Sequence, residues 1–145
     1  MLGRLLIIFF ILIALIHGLG LAQSWYWSYL WLDTVMHLLG GGWLSLLFFY
    51  LFEKRWRIFD LKKSFSATLI LALGFVSFAA VLWEFYEYSY DNFIAGIPES
   101  IPRPHPSLYA DTLKDFMNAL IGGMFVFFVY WFYFKKLSSP VNKVP

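Results

Sequence analysis

The chain contains no cysteine, so disulfides and thiolate chemistry are excluded, and soft-metal sites are disfavoured. Charge is scarce as well. Asp, Glu, Lys and Arg make up 14% of the 145 residues, against roughly a quarter in soluble domains. No polar stretch is long enough to form a soluble domain, and there is no internal repeat. No serine-nucleophile motif and no signature of the usual phosphatases or lipid transferases is present. Nothing points to nucleic acid as a partner.

What the chain has in quantity is apolar side chains, 61% of its residues. They fall into runs at about 5–22, 34–52, 65–90 and 112–134. Each run is long enough to cross a bilayer core of about 30 Å as a helix. The expected fold is all-α, a single transmembrane domain over 1–145 built as an integral membrane four-helix bundle. Residues 53–64 (EKRWRIFDLKKS) form a charged loop. Residues 91–110 form a longer one with Pro98, Pro102, Pro104 and Pro106, an irregular crossing of the kind often used as a lid or binding loop. Arg4, the first apolar run and the GLA before Gln23 also resemble a signal peptide. The expectation here is a retained helix.

Basic residues set the expected direction. Arg4, Lys54, Arg55, Arg57, Lys62, Lys63, Lys135, Lys136 and Lys143 lie at the N-terminus, the second loop and the C-terminal tail. With four spans those segments share one side, which places both termini in the cytoplasm of a plasma-membrane protein. WYWSYLW (Trp25–Trp31) then marks the outer interface and YWFYF (Tyr130–Phe134) the inner one. Only Arg103 and Lys114 remain as outer bases.

Acids sort the other way. Only Glu53 and Asp60 are on the basic side. Asp33 opens the second span, Glu84, Glu87 and Asp91 lie near the outer end of the third, Glu99 is in the outer loop, and Asp111 and Asp115 open the fourth. Helical spacing puts Asp33 with His37 on one face, as it does Glu84 with Glu87 and Asp91, and Asp111 with Asp115 and Asn118. Ionisable groups within a membrane usually face the bundle interior and mark function. Carboxylates this close need protonation, a folded-in Arg103 or a bound cation. A divalent metal ion held by Asp33, His37, Glu84, Glu87, Asp111 and Asp115 is the expected cofactor, with His37 and Glu84 as the candidate catalytic residues.

Plainer readings stand beside these. Asp33 and Asp111 each precede a helix and read equally as N-caps. His37 alone reads as a hydrogen-bonded buried histidine, and Asn118 as an interhelical bridge. Glu84 lies too deep for a short acid to snorkel, which favours a site role. His17 reads as structural, and His105 as exposed unless the loop folds over the site. Gly40, Gly41 and Gly42, with Gly122 and Gly123 at similar depth, read as a packing surface between the second and fourth spans. Their close approach would hold the facing carboxylates together.

Asp33-x-x-x-His37 with glycines after it, Glu84-x-x-Glu87, and Asp111-x-x-x-Asp115 followed by Gly122 resemble the YjdF-like and VanZ-like families of small bacterial membrane proteins. The resemblance covers residues 30–125, and Glu87 fits the YjdF-like side better. It implies a site at these residues. The VanZ-like side implies a link to the cell envelope and to resistance against teicoplanin-type antibiotics. From the acidic and histidine cluster, the expected function is a metal-dependent hydrolase or transferase acting at the outer leaflet on a lipid headgroup or envelope precursor. The alternatives are a cation or small-ligand binding or transport protein, and a structural accessory membrane protein. Membrane lipids are the expected partners, with a homo-oligomer compatible.

Overall fold

The computed structural model describes residues 2–57, 60, 61, 63–94 and 108–134. Lys62, Glu99, Arg103, His105, Lys135, Lys136, Lys143 and the four prolines of the long loop lie outside the described residues, as does the side chain of Asp91. Among the described residues the chain is all-helical. The elements are α1 (Leu2–Ala22), α2 (Trp25–Ser28), α3 (Leu30–Phe49), α4 (Phe65–Ser89) and α5 (Leu108–Val129). Helices α3, α4 and α5 run on into π-helical turns at Tyr50–Arg55, Tyr90–Ile94 and Tyr130–Phe134. Four helices among the described residues are long and apolar enough to cross a membrane.

Two helix starts differ from expectation, and with them two cap readings. α3 begins at Leu30 with Tyr29 at its N-cap, and α5 begins at Leu108. Asp33 and Asp111 therefore lie inside the first turn and not at the N-cap. The segment before Asp33 is too apolar and too helical to stop there: part of it forms α2, and the rest opens α3. The carboxylates still gain from this position, because the first turn exposes unpaired N–H groups and the positive end of the helix dipole.

The bundle is organised by the approach of α3 to α5. A Cβ on Gly41 would collide with the carbonyl oxygen of Ala119, and one on Gly122 with the carbonyl oxygen of Leu38. Each helix thus presses its bare backbone against the other's. Gly42 adjoins Gly122 and Val126, while Gly123 takes in Val76 of α4 and the carbonyl oxygen of Gly41. Gly40 is different: a Cβ there would meet nothing within 4 Å. Successive helical residues turn by about 100°, so a run of glycines cannot all face one neighbour, and Gly40 is no part of the packing surface.

Away from the acidic end an aromatic core takes over. Phe49 and Phe127 are wholly enclosed, and Phe49 stacks on Tyr130 at 3.9 Å. The Tyr130 hydroxyl donates to the Glu53 carboxylate at 2.8 Å, joining the π-helical ends of α3 and α5. Between α3 and α4, Ser64 caps α4 through the amide of Ala67, and the Thr68 hydroxyl donates to the carbonyl of Leu61 at 2.6 Å.

α1 lies to one side. Only 11% of its most apolar stretch is buried. It is fastened near its two ends. At one, the Trp43 indole donates to the Leu6 carbonyl at 3.0 Å and Gly3 lies against Tyr50. At the other, Tyr26 of α2 lies over Gly20 and hydrogen-bonds His17 at 2.7 Å. Ser24, at φ 56°, supplies the left-handed residue that turns the chain into α2.

Overpacking a tight contact costs about 1–3 kcal/mol, whereas Gly→Ala in an unobstructed helix gains up to about 1 kcal/mol. Gly41→Ala and Gly122→Ala should therefore destabilise the detergent-solubilised protein, and Gly40→Ala should leave it unchanged or firmer. Denaturant unfolding of the three variants checks this, and equal effects at all three positions would contradict the contact.

Candidate functional site

At the acidic end α3 brings Asp33 and His37 to the start of α5. His37 Nε2 lies 3.4 Å from Asp33 Oδ1 and 3.9 Å from Asp115 Oδ2. Lys114 Nζ lies 2.8 Å from Asp111, 3.2 Å from Asp33 and 3.3 Å from Asp115. One ammonium thus stands among three carboxylates from two helices. It is the chain's own counter-charge, where the sequence suggested protonation, Arg103 or an outside cation. Its signal was present: Lys114 follows Asp111 by three residues and adjoins Asp115, which places it in the acidic layer. Asp115 is only 4% exposed, and a carboxylate that deep is sustained only with charged or hydrogen-bonding partners.

The six acidic and histidine residues do not form one set. Asp33, His37 and Asp115 offer ligand atoms within 4.8 Å of one another, and so, separately, do His37, Glu84 and Glu87. His37 belongs to both groups. Asp111 belongs to neither and instead holds Lys114. Glu84, on α4, is half-buried.

Deeper in, the side-chain nitrogen of Asn118, the hydroxyl of Ser45 and Oδ1 of Asp115 are buried without a hydrogen-bond partner. Asn118 thus makes no interhelical bridge through that nitrogen. Ser45 escaped the sequence reading. Its signal is a polar residue eight positions after His37, on the stripe that also carries Gly41.

Tyr26 also joins this neighbourhood. Burial pushes its phenol up to about 12, and the charges of Asp33 and Glu87 add to the shift. The Tyr26 hydroxyl lies 2.7 Å from His17 Nδ1, a hydrogen bond whose direction follows the imidazole tautomer. Trp83, beside Glu84 in sequence, meets the His17 ring edge to face at 5.6 Å.

Residues 1–136 match the model of a family described as a predicted membrane protein (DUF2238). The chain belongs to this family. DUF2238 is a YjdF-like family, in keeping with the Glu84-x-x-Glu87 pair. No curated protein and no solved structure matches the chain. The polar layer of this DUF2238 protein is thus described by its own geometry alone.

The Tyr26 shift has a consequence at high pH. An unfolded phenol ionises near about 10, below the folded value of about 12, so unfolding releases a proton in that window. Stability should be intact below about pH 10 and fall as pH rises towards 12. Tyr26→Phe has no proton to lose there and should show a shallower alkaline decline in melting temperature. Parallel melting curves for the two proteins between pH 9 and 11.5 would contradict this environment for Tyr26.

Proposed function

We propose that His37, Glu84 and Glu87 hold a divalent metal ion in the outer half of a plasma-membrane bundle. The ion then acts on a lipid headgroup or envelope precursor at the extracytoplasmic face. The observation that carries this reading is the convergence of these three side chains, from α3 and α4, to within 4.8 Å. One nitrogen and two carboxylates suit zinc, manganese, iron or magnesium. Three protein ligands leave coordination positions open, as in catalytic rather than structural sites.

The remaining polar residues fit supporting roles. Asp33, 3.4 Å from His37 Nε2, orients the imidazole. A bound ion polarises a phosphoryl or acyl oxygen or lowers the pKa of a water. Lys114, about a third exposed, puts an ammonium in the same layer for an anionic headgroup. The outward orientation rests on the basic residues gathered at the opposite end. The tie to glycopeptide resistance rests on the VanZ-like motifs alone.

A second reading, cation binding without chemistry, is favoured by the excess of carboxylates over Lys114. Transport right through the bundle is opposed by the aromatic core of Phe48, Phe49 and Phe127, which closes the layer off from the other end.

Metal analysis of purified protein tests the proposal. The wild type should carry one divalent ion per chain and lose thermal stability on chelation. Glu84→Gln and Glu87→Gln should carry far less and be indifferent to the chelator. A metal-free wild type whose melting temperature ignores added ions sinks the proposal. Turnover of headgroup-labelled lipid in reconstituted vesicles then separates enzyme from binder.

A further inference from the structure

We infer that Asp33, His37 and Asp115 form a second cation position, now filled by the Lys114 ammonium, which a divalent ion replaces. The inference rests on geometry separate from the proposed metal site, with which it shares His37. Two observations carry it. The first is the occupant itself: a positive charge already sits 3.2 and 3.3 Å from Asp33 and Asp115, whose ligand atoms lie with that of His37 within 4.8 Å. The second is Asp115. It is 4% exposed, its Oδ2 faces His37 Nε2, and its Oδ1 faces Lys114 yet receives no hydrogen bond. The ammonium neutralises this oxygen without satisfying it. A divalent ion binds such an oxygen directly and carries twice the charge.

Replacement is physically open to Lys114. Its stem is long and flexible, its side chain is 35% exposed, and Asp111, outside both groups, remains as a partner nearer the helix start. The incoming ion takes Nε2 of His37, which must first release any proton it holds. Both positions fill together only when the imidazole has lost its last ring proton, so filling both releases protons.

The test is manganese binding to full-length protein in detergent, followed by calorimetry and by metal analysis after desalting. Removing the competing ammonium in Lys114→Met should tighten binding at the second position by on the order of tenfold or more. Stoichiometry should rise from one ion per chain to two. Lys114→Arg keeps the charge and should stay at one. Lys114→Met combined with Asp115→Asn should return to one.

Lys114→Met combined with Glu84→Gln isolates the second position. One ion retained there supports the inference even if wild type proves metal-free and the first proposal fails. Should Lys114→Met not fold, labelling of the wild type with an amine-selective reagent replaces it. Manganese should then speed modification of Lys114, read by peptide mass, as the ammonium is pushed towards water. Unchanged stoichiometry in Lys114→Met, or modification of Lys114 indifferent to manganese, overturns the inference.

Discussion

The bare-backbone contact between α3 and α5 is the constraint from which the polar layer follows. Gly41 sits against the carbonyl of Ala119 and Gly122 against that of Leu38. Gly41 is one turn from His37 and Gly122 two turns from Asp115. Only with side chains removed from both surfaces do the two backbones come close enough for Asp33 and His37 to reach Asp115 and Lys114. In lipid such contact rests on van der Waals packing and not on the exclusion of water. The glycines therefore supply both the cohesion of the bundle and the spacing of its chemistry.

Electrostatics then distinguishes the two sides of His37. Towards α5 the carboxylates are met by Lys114, and towards α4 lie Glu84 and Glu87. The imidazole thus stands among acids of α3, α4 and α5. An ionic network kept only for stability is an inefficient solution, since apolar residues of similar volume often stabilise as well or better.

Much of this was legible in the sequence, and the gaps have physical causes. Span number, the shared depth of the acids and the pairing of the glycine clusters follow from local periodicity, which a helix preserves. The helix starts were misplaced because Asp33 and Asp111 are good cap residues in isolation, while nothing in Tyr29 or Leu30 announces a start. Gly40 was grouped with its neighbours because sequence gives a cluster, whereas a helix gives each member its own direction. Lys114 was seen as a base of the outer half but not as the hub. Spacing fixes where a long side chain begins, and only the neighbouring helix fixes where its charge comes to rest. The division of the acids into two groups around His37 likewise depends on the rotation of α4 against α3, which no single helix encodes.

α1 has a further meaning in the order of synthesis. It is made before every other span, yet the groups that fasten it, Tyr26, Trp43 and Tyr50, all lie downstream. Until they emerge, α1 must rest in lipid unaided, with all its backbone bonds made internally. Its sequence suits that interval: it has no acid, its one strong base is near the start at Arg4, and apolar side chains such as Ile8, Leu12 and Leu15 cover its surface. The helix that contributes least to the finished bundle is thus the one built to survive alone in the membrane before its partners arrive.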